Sequence, residues 1–150
     1  MTTLIVYLGA AHSAYANELF ISSERIENCL RFSDDRYQYI SSGAGACSDL
    51  PKGGSISGMT TCVTLERQYW LDHAACTLDR ILQKANAKSP DLARGIQEMQ
   101  SGWAVFRDEL CKSKNQGDPE GDLRQGNCLM QQDGEQAIYL MGIAENHFVD

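Results

Sequence analysis

Apolar runs long enough to cross a membrane are missing from this 150-residue sequence. The apolar run from Leu4 to Ala11 falls far short of the ~18 residues a spanning helix needs, so no stable membrane insertion is expected. Missing too are the P-loop, the Rossmann fingerprint and the G-x-S-x-G of a serine hydrolase. Basic residues are the scarcer sign of charge, 13 Lys and Arg against 20 Asp and Glu. A net charge of −7 disfavours nucleic acid and anionic membranes as partners and favours cationic ones. Histidine is sparse. His73 and Cys76 make a half-site for a metal, but Cys62 stands about two turns beyond reach, whereas structural zinc takes four close-set ligands. His147 has no nucleophile or carboxylate suggested by spacing. The chain is therefore read as non-catalytic, with no metal and no cofactor.

Cysteine, in contrast, is abundant. Six in so short a chain indicate a disulfide framework if the protein reaches an oxidising compartment. The amino terminus supplies a route: an apolar run is followed by small residues ending in Ala14-Tyr15-Ala16, the A-x-A pattern of signal peptidase. No Lys or Arg precedes the run. Residues 1–16 are expected to be a signal peptide, leaving residues 17–150 as one helical domain, periplasmic or secreted. The leader holds no charged side chain, so its removal leaves the acidic balance unchanged. With 43% hydrophobic residues the domain can build one core.

No convincing strand appears. Helical spacing predicts a first helix over Glu18–Phe32, through Leu19, Ile26, Cys29 and Leu30. The Gly- and Ser-rich segment Ser41–Gly58, which carries Cys47, reads as a loop. A long helix is predicted over Thr60–Ala87, with Cys62, Tyr69 and Cys76 seven apart and Trp70, His73, Ile81 and Ala85 broadening that face. Ser89-Pro90-Asp91 then starts another helix, on which Leu92, Ile96, Met99, Trp103, Phe106 and Leu110 form an apolar stripe ending at Cys111. A polar loop follows, and a last helix is predicted over Cys128–His147 through Leu129, Ala137, Leu140 and Ile143. The expected fold is all-α, a small disulfide-braced bundle of about four helices.

Within the stretch Gln97–Cys111, "QEMQSGWAVFRDELC", Trp103 and Phe106 are expected to face the core. Arg107 and Asp108 are adjacent on the helix and are not expected to pair; each should brace a neighbouring helix or loop.

The runs "KGGSISGMTTC" at Lys52–Cys62 with Glu66 and Trp70, and "QSGWAVFRDELC" at Gln100–Cys111 with Cys128 and Glu135, resemble the lysozyme inhibitor LprI-like amino-terminal domain family. The likeness runs from about Cys29 to Leu140, with its most specific motif at Gln100, Trp103, Phe106, Arg107, Asp108 and Cys111. Leu71, Ala75 and Gln136 depart from the family's pattern. The resemblance implies a disulfide-bonded helical domain of the periplasm or exterior, some of whose relatives bind and inhibit lysozyme.

Six cysteines allow many pairings. Cys62 and Cys76, fourteen residues apart on one helix, would be separated by about 21 Å, against the roughly 7 Å a disulfide tolerates. Cys111 with Cys128 closes a short interhelical loop, and Cys47 is placed to reach Cys62. Cys29 with Cys76 is then the remaining pair.

Two functions are consistent with these features. One is binding and inhibition of a cationic lysozyme-type protein, approached by the loops at Gly53, Gly54 and Ser55 and at Asp118, Glu120 and Asp122. The other is a periplasmic envelope or immunity-type interaction with a different partner.

Overall fold

The computed structural model describes residues 18–112 and 117–148, with the side chains of Cys29 and Phe32 left aside; the expected leader lies outside the described residues. The fold is all-α and disulfide-braced. It comprises α1 (Ser23–Phe32), a 3-10 turn (Tyr37–Tyr39), α2 (Ser42–Ser48), α3 (Ile56–Lys88), α4 (Pro90–Leu110) and α5 (Pro119–His147). Among the described residues there is no strand, and no helix is long and apolar enough to cross a membrane.

Capping explains where the elements begin. Ser22 accepts from the Arg25 N–H and Ser55 from the Gly58 N–H, so α1 starts later than its apolar spacing suggests and α3 starts earlier. Ser89 ends α3 and begins α4, its N–H bonding the Ala85 carbonyl while its hydroxyl accepts from Leu92. One residue thus turns the chain back on itself. Asp118 and Pro119 repeat the device for α5, with the Asp118 carboxylate accepting from Gly121. The last helix therefore begins nine residues before Cys128, and the expected loop around it is largely helix. The other loop expectation is corrected too, because Ser42–Ser48 within the Gly- and Ser-rich segment is helical.

The long helices α3 and α5, about 50 and 43 Å at 1.5 Å per residue, run parallel. Val63 lies against Gly126, Arg67 reaches Asp133, and Lys84 reaches the Phe148 carbonyl, so residue numbers rise together on both. Helix α4 is the antiparallel return between them. Helices α1 and α2 cover the amino-terminal halves of this pair, where Ile26, Leu30, Ile40, Val63, Trp70, Met130 and Ala137 form the core. Ile40 seats on α5 at Gly134, where a Cβ would press within 3.0 Å of three Ile40 carbons.

Two disulfides close this end, Cys47–Cys62 and Cys111–Cys128, with Cα separations of 5.6 and 5.4 Å. The third expected bridge is not formed, since Cys76 is an exposed free thiol. The buried line of α3 runs through Glu66, Trp70, Thr77, Ile81 and Ala85, and Cys76 sits about 100° away from Thr77 around the helix.

The α4 stripe is a larger correction. Phe106 and Leu110 are each 53% exposed, Leu92 43% and Met99 40%, and Ala93 is the buried residue of the helix. At about 100° per residue, the stripe is centred ~80° from the line of Ala93, Gln100 and Arg107, and that polar line faces the bundle. Trp103 is half-buried at the border, its ring 5.7 Å from that of Phe106.

Both disulfides close short loops, with sequence separations of 15 and 17, and each should stabilise the fold by about 3 kcal/mol in the chain-entropy model. Cys111→Ser with Cys128→Ser is expected to lower the urea-unfolding free energy by that amount. An unchanged midpoint would contradict the assigned brace.

Candidate functional site

The most enclosed charged group is the Glu66 carboxylate, fully buried on α3. Its Oε1 accepts from the Ser41 N–H at 2.7 Å and the Trp70 indole N–H at 2.9 Å, and its Oε2 accepts from the Ala44 N–H at 2.6 Å. None of these donors carries a formal charge. The carboxylate caps the start of α2 from outside, next to Ser41 in the left-handed region at φ 81°, and charge-assisted N–H bonds of this kind offset the cost of burying it. With the side chain fully buried and its donors coming from the entry to α2 and from α3 itself, the carboxylate ties α2 to α3.

A second buried carboxylate, Asp133 on α5, is 3% exposed and is shared between two guanidinium groups. Its Oδ2 accepts from Arg67 Nε at 2.7 Å and its Oδ1 from Arg107 Nη1 at 2.6 Å. Arg107 also donates through Nε and Nη2 to Asp108 Oδ1, at 2.9 and 2.7 Å. Burial lowers the Arg107 pKa, but the hydrogen bonds to Asp108 and Asp133 outweigh it and hold the pKa above the ordinary arginine value. Arg107 therefore braces α5 as expected, while the expectation that it would not pair with Asp108 is overturned, because its long side chain curls back over the next residue. Nearby, the Gln136 amide donates to Gln100 Oε1 at 3.0 Å. Arg67 and Asp133 were not singled out in the sequence; the available signal was a carboxylate between Met130 and Ala137 on the apolar side of a helix.

Near Glu66, the Tyr69 hydroxyl is buried without a hydrogen-bond partner. Burial, with Glu27 and Glu66 adding repulsion, pushes its pKa up to about 12. His73 stacks at 5.1 Å from the Tyr69 ring and borders a cavity of ≈ 430 Å³ between the lower halves of α3 and α5. Cys62 is committed to a disulfide, so it cannot join His73 and Cys76 as a metal ligand.

The two predicted binding loops lie at the same end of the molecule. Ser55 and Asp118 each precede the touching pair Val63 and Gly126 by eight residues on parallel helices. Their local roles differ from free loops. Gly53 is buried where a Cβ would collide with the Cys47 carbonyl oxygen, Gly54 is exposed, and Ser55 caps α3. Asp118 caps α5, and Glu120 and Asp122 occupy its first turn, where negative charge complements the helix dipole. All three acidic side chains are exposed, with Arg124 within 3.6 Å of Asp118 and 3.5 Å of Glu120. The carboxyl end of α4 adds exposed Asp108 and Glu109 to this end.

No family model matches the chain, and no curated protein and no solved structure matches it.

Two outcomes follow from the buried polar groups. Asp133→Ala leaves two guanidinium groups facing an apolar methyl and should cost about 3–5 kcal/mol, measured by chemical denaturation; a loss below ~1 kcal/mol would show that the node is dispensable. For Tyr69 the folded pKa is raised, so the unfolded chain ionises first. The contribution is fully present below pH 10 and is lost as pH rises towards about 12. Tyr69→Phe should flatten the alkaline limb of the stability curve in this window without lowering stability at pH 7.

Proposed function

We propose that this chain is an exported, non-catalytic protein-binding domain that inhibits a cationic lysozyme-type muramidase through its disulfide-closed end. The observation that carries the proposal is that Gly54 and Ser55 at the start of α3, and Glu120 and Asp122 in the first turn of the parallel α5, stand at the end that holds Cys47–Cys62 and Cys111–Cys128. Acidic groups on a rigid scaffold steer a basic partner and lose less entropy on docking than mobile loops would. The resemblance of Lys52–Cys62 and Gln100–Cys111 to the LprI-like family supports the choice of partner. Two disulfides support passage through an oxidising compartment, the periplasm or the exterior.

The test is residual activity of a c-type lysozyme titrated with the oxidised protein at low and physiological salt. Stoichiometric inhibition is expected, weakened by salt and by roughly tenfold in Glu120→Lys/Asp122→Lys, a loss of about 1.4 kcal/mol. Circular dichroism checks that the variant keeps its helices. Absence of inhibition at several-fold excess of folded protein would overturn the assignment and point to another exported partner, such as a toxin neutralised in the periplasm.

A further inference from the structure

We propose that the groove between α4 and α5 holds a binding site for a quaternary ammonium compound, the trimethylammonium group of choline being the simplest case. The proposal stands apart from lysozyme binding. Its central residue, Glu135, lies fifteen residues beyond Glu120 on α5, about 22 Å along the axis. It starts from a cavity of ≈ 350 Å³ lined by Tyr37, Met99, Trp103, Glu135, Gln136 and Tyr139, within the ~300–1,000 Å³ of small-molecule sites. Met99 and Trp103 stand one turn apart on α4, Glu135 and Tyr139 one turn apart on α5, and Tyr37 comes from the 3-10 turn. Three rings and one carboxylate therefore border the same space.

These groups select the charge of the ligand. Faces of Trp and Tyr attract cations through the ring quadrupole, most strongly where water is partly excluded. Glu135 adds a full negative charge. It is half-buried, and its partners are neutral: Oε1 accepts from the Gln131 amide at 2.9 Å and Oε2 from the Gln132 amide at 3.0 Å. In its setting it differs from both buried carboxylates. Asp133 is neutralised by Arg67 and Arg107 and Glu66 is fully enclosed, whereas Glu135 borders a cavity shared with Tyr37, Tyr139 and Met99, which are 40–51% exposed. None of the six lining residues is itself a cation. The type of cation follows from what the walls lack. Both oxygens of Glu135 already accept an amide, and rings and a thioether are weak acceptors, so the three N–H donors of a primary ammonium find few partners here and their desolvation costs affinity. A quaternary ammonium has no N–H to satisfy.

The walls are held in place without a ligand. Gln136 donates to Gln100, the neighbour of Met99, and so fixes α4 against α5. On either side of Tyr37, Arg36 bonds Glu145 at 3.0 Å and Ile40 packs on Gly134. A site that needs no rearrangement loses little of its binding energy to ordering.

Trp103 supplies the readout, since the other tryptophan, Trp70, is fully buried. Tryptophan emission of the oxidised protein is titrated with choline chloride over roughly 0.05–20 mM, a span suited to a dissociation constant of about 1 mM, against sodium chloride at matched ionic strength. The neutral tert-butyl analogue of choline has the same shape without the charge. Saturable binding of choline is expected, at least ~10-fold tighter than that of the analogue. Glu135→Gln should weaken choline binding about tenfold and leave the analogue unchanged, and Tyr139→Leu, at an exposed position, should weaken choline binding about fivefold, both with unaltered circular dichroism. Sedimentation with phosphatidylcholine vesicles distinguishes the source of the group: protein that pellets takes it from the lipid headgroup, and protein that binds choline but stays in solution takes it from a free compound. No saturation up to ~20 mM, equal affinity for choline and its neutral analogue, or parental affinity in either variant would overturn the proposal.

Discussion

Asp133 is one carboxylate that ties the angular positions of three helices together. Arg67 approaches from α3 and Arg107 from α4, and hydrogen-bond geometry tolerates only small rotations of either helix before a buried charge loses its partner. Apolar packing is permissive by comparison, because a stripe of Leu and Phe can be satisfied over a range of rotations. The polar node therefore decides which face of α4 points inward. Gln100, one turn and three residues before Arg107, follows it in by bonding Gln136, and the apolar stripe is carried outward as a consequence. Glu66 does the corresponding work between α3 and α2, using backbone N–H groups where Asp133 uses guanidinium groups.

The same constraint explains what was legible in the sequence. Helix type, the number of long helices and two disulfide pairs follow from local signals: periodicity, Ser-Pro-Asp at the start of α4, and short separations between cysteines. Asp118-Pro119-Glu120 is chemically the same start signal for α5, but it stands among glycines in a stretch whose composition reads as loop. Helix α2 was hidden for a related reason. Its Gly-Ala-Gly-Ala core has weak intrinsic preference, and it is held by the Glu66 carboxylate and the Cys47–Cys62 bond, neither of which is local.

Direction was the harder quantity. A count of seven places Cys62, Tyr69 and Cys76 on one face, yet a straight helix drifts by about 20° per heptad, and by the second repeat Thr77 has taken the inward position. On α4 the stripe was visible and its orientation was not, because amphipathicity specifies a face without saying what covers it. The candidate binding residues behaved similarly. Their grouping at one end depends on α3 and α5 running parallel, a property of the whole bundle.

That parallel arrangement has a mechanical side. Both described disulfides, the α2 cover and the buried carboxylates occupy the half where α3 and α5 begin, while at the other end the two helices are joined by Lys84 and Lys88 reaching the carbonyls of Phe148 and His147, with Lys88 over the Phe148 ring. Covalent stiffness is thus confined to the half where both helices begin; the other half rests on packing, on the two lysine contacts and on Ser89, which turns α3 into α4, and it is there that the ≈ 430 Å³ cavity bordered by His73 and Lys84 lies.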